Sequence, residues 1–223
     1  MGLKSAGQIG AIKVHPKNPD IDYAAAIGQP FKQNTERGLF KSIDGGKNWK
    51  KILYISDKIG IVDMEFSPDD PNTIYAASWE VNRKPWTIMS GSKDGGIYKS
   101  VDGGQSWTKL FKGLPKGNIG KIDLATSPAD TNRLYALIEA GEGQGGVYVS
   151  YDKGSTFKAM SHRKELVNRP FYYCNIYAHP KNADVIYSSA NKFMVSIDAG
   201  KTWDIRETPH GDNHDIWINP NHD

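Results

Sequence analysis

The sequence predicts an all-β chain: four four-stranded antiparallel blades of a β-propeller plus the first strand of a fifth, a partial propeller. Three observations carry that expectation. One short motif, Ser-x-Asp-x-Gly-x-(Asn/Ser/Thr)-(Trp/Phe), occurs four times, at Ser42–Trp49, Ser100–Trp107, Ser150–Phe157 and Ser196–Trp203. Its aspartates Asp44, Asp102, Asp152 and Asp198 lie 58, 50 and 46 residues apart, a period suited to a propeller blade or a solenoid unit. Each motif is preceded by the same order of short β-rich runs and turn formers, and no useful length of chain repeats its apolar residues at the helical period.

The elements follow in order. Blade one (about 8–53) opens on a strand from Ile9 to Val14, turns at His15-Pro-Lys-Asn-Pro19, and continues through Tyr23-Ala-Ala-Ala26 and Gly38-Leu-Phe-Lys-Ser42. Blade two (about 59–112) has a half-buried run from Gly60 to Phe66, a turn at Ser67-Pro-Asp-Asp-Pro-Asn72 and a small, apolar interior strand from Thr73 to Trp79. A long loop to Lys93 follows, then strands at Gly95–Ser100 and Ser106–Phe111. Blade three (about 118–160) repeats the pattern at Ser127-Pro-Ala-Asp130, Leu134-Tyr-Ala-Leu137 and Gly146-Val-Tyr-Val-Ser150. Blade four (about 172–207) does so at His179-Pro-Lys-Asn182, Ile186-Tyr-Ser-Ser189 and Phe193-Met-Val-Ser196. A fifth first strand is expected at His214–Asn219, with its turn at Pro220-Asn-His-Asp223. Four such sheets in an open arc would leave two sheet faces bare, which favours self-association through open blade ends.

Composition narrows the function classes. The chain has 223 residues, enough for a sizeable core, and a net charge of +3 without a run of like charges, so a nucleic-acid arm is not expected. One cysteine, Cys174, rules out an intrachain disulfide framework. No stretch has the roughly 18 apolar residues of a membrane span, and the N-terminal residues lack an apolar signal core. The compartment stays open.

The repeated motif reads as a structural hairpin. Its aspartate accepts hydrogen bonds from turn amides, its glycine permits positive φ, and the closing Trp49, Trp107, Phe157 or Trp203 packs between sheets. A calcium role is the alternative, but the ligand density and terminal glutamate of a calcium loop are missing.

These motifs resemble the BNR/Asp-box repeat superfamily and, within it, the sortilin-like propeller proteins often labelled glycosyl hydrolases, with their xyloglucanase relatives. The stretches Arg169-Pro-Phe-Tyr-Tyr-Cys-Asn175 and His210-Gly-Asp-Asn-His-Asp-Ile-Trp-Ile-Asn-Pro220 strengthen the resemblance. It implies a segment of a longer, often exported protein. It implies no activity by itself: the six arginines do not repeat in a way that would build a sialidase triad, and a xyloglucanase would need a second catalytic half.

Blade connectivity separates two faces. The Pro-Asn turns and Asp boxes share one; the loops between second and third strands and the blade-to-blade links share the other, where function is expected. That face would carry the stretch Gln29–Glu36 with Arg37, and the ligand-binding candidates Trp79, Arg83, Trp86, Arg169, Tyr172, Tyr173 and Asn175, aromatics beside hydrogen-bonding groups that suit sugar rings or peptide segments. Ordinary packing is the competing account of the aromatics. Candidate catalytic acids are Glu80, Asp57 and Asp212. Strand alternation would aim His210, Asp212 and His214 together, a set fit for a divalent metal or for a hydrogen-bonded cluster; no other cofactor is expected. The favoured function is a binding scaffold for a protein, peptide or glycan ligand. The alternatives are part of a carbohydrate-active glycoside hydrolase and a self-associating structural fragment.

Overall fold

The computed structural model describes residues 2–221, and the expected turn residues His222 and Asp223 lie outside them. The regular elements of the described residues are all β-strands, apart from one 3-10 turn at Lys164–Val167. It divides into two compact units, residues 1–109 with 118–122, and residues 110–117 with 123–223.

The first unit holds two sheets. Strands β1 (Gln8–Val14), β2 (Asp22–Gly28), β3 (Gly38–Ser42) and β4 (Lys50–Leu53) form one antiparallel sheet in sequence order. Strands β5 (Ile59–Phe66), β6 (Ile74–Lys84), β8 (Gly96–Ser100) and β9 (Thr108–Leu110) form the next, and β7 (Thr87–Ser90) pairs with the far end of β6. The remaining sheets are β10 (Ile119–Thr126) to β13 (Lys158–Ser161), with β11 (Leu134–Ala140) and β12 (Gly146–Ser150), and β14 (Asn175–Ala178) to β17 (Asp204–Arg206), with β15 (Ile186–Ser189) and β16 (Phe193–Ser196). The third sheet begins in the first unit and ends in the second; the fourth lies in the second. Each contains a four-stranded antiparallel meander, the unit of a propeller blade, to which the second sheet adds β7.

Second strands are largely buried on both faces, most completely β2, which explains its run of small residues. On β2, Tyr23 and Ala25 join a cluster with Leu39, Ile61, Met64, Ile74 and Ala76, while Ala24 and Ala26 face the other way toward Phe40. Burying each large aliphatic side chain contributes about 1.5–3 kcal/mol. Gly60 lets backbone meet backbone: a Cβ there would stand 2.6 Å from Ile27 Cα.

The Asp boxes repeat one hydrogen-bond scheme. Ser42, Ser100, Ser150 and Ser196 donate to their aspartates' Oδ1 at 2.7–2.8 Å. The glycine amides return a bond to each serine Oγ at 2.7–2.9 Å. Those glycines, Gly46, Gly104, Gly154 and Gly200, have φ of 78°, 92°, 85° and 91°, the left-handed region. The box turn is tied to the turn between first and second strands by Gly45 N to Asp20 O (3.0 Å), Gly103 N to Asn72 O (2.9 Å), Lys153 N to Asn132 O (2.9 Å) and Ala199 N to Asp184 O (2.8 Å). Both turns therefore lie at the same end of each sheet.

Two expectations are corrected. The long loop after Trp79 is a β-hairpin: β6 runs on to Lys84 and pairs with β7 from Val81↔Ser90 to Lys84↔Thr87, so ladder bonds satisfy backbone that a loop would leave to water. Residues 214–219 form no strand; His214 and Asp215 are held beside β14 by side-chain bonds from Asn175 and Tyr177 and not by a ladder.

Candidate functional site

At the end of the first unit opposite its Asp boxes, three segments converge. The loop after β2 is joined to the link before β5 by Asn34 N donating to the Asp57 carbonyl at 3.0 Å, and to the β6–β7 hairpin by Arg83 N donating to the Pro30 carbonyl at 2.7 Å. Between them lies a cleft of roughly 170 Å³ lined by Gln33, Arg37, Lys58, Glu80, Asn82 and Met89, with Val81. Glu80 and Asn82 alternate on β6, and Met89 stands opposite Asn82 on β7, so the three share one face.

Arg37 is the unusual member. It is 1% exposed. Its Nη2 donates to the carbonyls of Gln29 (2.6 Å), Val81 (3.3 Å) and Lys32 (3.4 Å). Its Nε and Nη1 are buried without a hydrogen-bond partner, as is Asn82 Oδ1. Burial lowers the guanidinium from its ordinary value, and the charges of Glu80 and then Asp57 pull it back up. An unsatisfied buried donor costs about 1–3 kcal/mol, and unpaired groups of this kind mark a place for a polar ligand or an ordered water. Gln33, Lys58, Glu80 and Asn82 add donors and acceptors, so the cleft is matched to a ligand that carries both.

The hairpin and the loop after β2 carry exposed apolar side chains beside the cleft. Trp86 at its turn is 81% exposed, and Phe31, Met89 and Ile88 are 60%, 58% and 42% exposed. Trp79 is buried and donates its indole N–H to Ser90 Oγ at 2.8 Å, bracing the hairpin base. Of the sequence's candidates, Asp57, Glu80, Trp79, Arg83 and Trp86 all belong to this region. Arg37 is placed on this face by the sequence without a role, and Asn82 and Met89 carry no sequence signal, since their significance rests on the hairpin.

The other candidates cluster in the second unit. Arg169 Nη1 lies 3.1 Å from the Tyr173 hydroxyl and 3.8 Å from Asp212 Oδ1, and the Tyr173 hydroxyl donates to Asp212. The His214 ring packs on Tyr173 at 4.7 Å, and Asn175 Nδ2 donates to the His214 carbonyl at 2.7 Å. Tyr177 donates to Asp215 at 2.9 Å, and burial pushes its phenol up to about 12. Tyr172 is half exposed, with Arg169 over its ring at 5.4 Å.

The expected convergence of His210, Asp212 and His214 is corrected by this cluster. Asp212 has a φ of 61°, which breaks the extended alternation that would have aligned the three. His210 Nδ1 turns to the Gly211 carbonyl at 2.5 Å, and Asp212 is taken by Tyr173 and Arg169. Among the described residues no three His, Cys, Asp or Glu side chains are arranged to hold a metal ion. No helix among them is long and apolar enough to cross a membrane.

Comparison with known proteins places the fold. The chain is 30% identical over 112 residues to the vacuolar protein sorting/targeting protein 10 of Lodderomyces elongisporus, covering 50% of this chain and 6% of that one. Among solved structures it is similar to an ancestral GH74 enzyme, with a TM-score of 0.62, 18% identity, and 92% of this chain on 26% of that chain. It is also similar to the GH74 enzyme of Niastella koreensis, with a TM-score of 0.57, 22% identity, and 87% of this chain on 28% of that chain. What it shares with the two enzymes is the β-propeller fold. The chain spans a small part of each relative's length. No protein-family description matches it.

Proposed function

We propose that the chain is a binding scaffold whose ligand, a protein, peptide or glycan segment, enters the Arg37–Glu80 cleft and lies along the β6–β7 hairpin. The observation that carries this reading is the buried Arg37 guanidinium with two nitrogens unpaired beside Glu80, Lys58 and Asn82. Arg83 and Trp86 would contact the ligand's outer part, Trp86 offering the flat apolar surface that sugars and peptide side chains both use. Trp79 would act from beneath, by holding the hairpin. Arg169, Tyr172, Tyr173 and Asn175 would form a second contact region on their own unit. The sortilin-like resemblance supports this reading, since a sorting protein works by binding.

The test is a screen of the purified chain on glycan and peptide arrays, repeated with Glu80→Gln, Lys58→Ala and Trp86→Ala. These three side chains are not part of the buried core, so folded variants are expected. A bound class that each variant weakens by about tenfold or more, roughly 1.4 kcal/mol, supports the proposal. Binding that ignores all three sinks it.

A glycoside hydrolase is the second reading. It draws on the charges of Glu80 and Asp57 acting on the same guanidinium, since such enzymes work with two carboxylates. Turnover of chromogenic glycosides, abolished by Glu80→Gln, would favour it over simple binding.

A further inference from the structure

The last strand of each four-stranded meander carries charge. β4 has Lys50 and Lys51, β9 has Lys109, β13 has Lys158, and β17 has Asp204 and Arg206. Charge on an edge strand discourages other strands from pairing with it. β7 is built differently. It is also an edge, since among the described residues it pairs with β6 alone. Its sequence, Thr87-Ile-Met-Ser90, holds no charge and no proline.

The hairpin register shows which backbone groups β7 offers. Lys84↔Thr87 closes a two-residue turn, so Lys84 with Thr87 and Asn82 with Met89 exchange the ladder bonds. Gly91 N donating to the Glu80 carbonyl at 2.8 Å continues that alternation. The groups of Val81, Arg83, Ile88 and Ser90 therefore point outward. On β6 the protein uses them: the Val81 carbonyl accepts from Arg37 Nη2 at 3.3 Å, and Arg83 N donates to the Pro30 carbonyl at 2.7 Å. On β7 the Ser90 carbonyl accepts from Asn118 Nδ2 at 3.2 Å. The N–H and C=O of Ile88 point away from β6, and no described residue bonds to either. One side of the hairpin is closed, and the other is open at Ile88.

We propose that the hairpin's ligand is an extended peptide segment that adds to the β7 edge as one more strand. This rests on the reading of the hairpin as a recognition surface, and narrows its ligand to one class. The Ile88 N–H donates to the peptide backbone, and the Ile88 carbonyl accepts from it. The exposed side chains favour the same occupant. Ile88 and Met89 are successive residues of one strand, so they project to opposite faces of the hairpin, and both are exposed. An added strand sends its own side chains alternately to both faces and covers both. A sugar ring stacked on one face leaves the other bare. Peptide side chains on the Met89 face point to the side that carries the polar cleft, and those on the other face lie against Ile88.

The probe is an array of end-capped twelve-residue peptides of random sequence. The caps remove the terminal charges, so only the interior of a strand is read. The strongest binder is remade with N-methyl groups on every second residue, in both phases. Successive strand amides point toward β7 and away from it, so one phase should lose about tenfold or more in affinity and the other about threefold at most. Ile88→Pro removes the outward N–H without breaking a ladder bond, and should also lose about tenfold or more, while Ile88→Val should bind as wild type. Hydrogen exchange at Met89 and Gly91 reports whether the proline variant keeps its hairpin. If it does not, exchange at the wild-type Ile88 amide takes its place: slowing by bound peptide supports the proposal, and no change overturns it. Equal effects of the two N-methyl phases overturn strand pairing, as does undiminished binding by a folded Ile88→Pro chain. A chain that binds glycans through Trp86 and no peptide also overturns it, but leaves the recognition surface standing. A chain that binds neither overturns both.

Discussion

The Ser106 hydroxyl donates to Asp102 Oδ2 at 2.6 Å while the Ser106 amide donates to Oδ1 at 2.9 Å, so one residue grips both oxygens of the Asp-box carboxylate. Asn48 grips Asp44 in the same way, as Thr156 does Asp152 and Thr202 does Asp198. The Asn48 amide, its side chain and Ser42 hold Asp44 at about 2, and the Ser106 hydroxyl and amide hold Asp102 well below the ordinary range. Burial works the other way at Asp152 and Asp198, yet their threonine bonds still leave both lowered. A folded value below the unfolded one stabilises the fold above about pH 4, the ordinary aspartate range, and that contribution is lost as pH falls toward 2. Melting temperature followed by tryptophan fluorescence should therefore fall between about pH 4 and 2. Asp102→Asn should melt lower than wild type at pH 7 and approach it at pH 2. A flat wild-type curve across that window would refute the account.

The box turn places two residues in succession in the left-handed region. At the first place Gly45 and Gly103 have φ of 68° and 69°, while Lys153 and Ala199 occupy it at 55° and 61°. A side chain is thus tolerated there, at a cost of about 1–2 kcal/mol. Gly103→Ala meets nothing closer than 3.5 Å and should lower stability in urea by about 1 kcal/mol from strain alone. Gly104→Ala should cost more, since its Cβ would land 2.5 Å from Ile52 Cδ1. Equal losses would mean that packing against Ile52 does not matter.

The Asp boxes were legible because the bonds that define them are local: serine, aspartate, glycine and the gripping residue fall within seven positions. The hairpin was not. Pro85 and the run Glu80-Val-Asn-Arg-Lys84 read as loop, because one side of the hairpin faces the polar cleft and its apolar residues Ile88 and Met89 stay exposed, which erases the alternation that marks a half-buried strand. Arg37 was equally hidden, since it reaches the Val81 carbonyl 44 residues away and no spacing rule encodes that contact. The His210–His214 stretch misled for a local reason: one left-handed residue at Asp212 was enough to redirect its neighbours.

Two tryptophans on the same hairpin should separate structure from recognition. Trp79 is 3% exposed and bonded to Ser90, so Trp79→Phe should lose about 1 kcal/mol through that bond, more if the smaller ring leaves a void. Trp86 is 81% exposed, so Trp86→Ala should leave stability within about 0.5 kcal/mol of wild type while weakening ligand binding. Urea titrations beside array binding read both. A strongly destabilised Trp86→Ala chain would show that the hairpin tip is part of the fold and not a free recognition surface.

The segment from Asp212 to Asp215 is held by side chains alone at most of its points: Asp212 by Tyr173 and Arg169, the His214 carbonyl by Asn175, and Asp215 by Tyr177, with one backbone bond from Asn213 to the Ala190 carbonyl at 3.0 Å. The bond to Asp212 raises the Tyr173 phenol above its ordinary value, so the hydroxyl keeps its proton and remains the donor at neutral pH. Tyr173→Phe and Asp212→Ala should each speed amide hydrogen exchange at Asn213, and the double variant should exceed either single one by little, because both remove the same bond. Added zinc should leave that exchange rate unchanged in wild type, since Asp212 is occupied and His210 Nδ1 turns to the Gly211 carbonyl. Slower exchange with zinc would mean that the histidines can be recruited to a metal after all. Fully additive variants would mean that Tyr173 and Asp212 hold the segment by separate contacts.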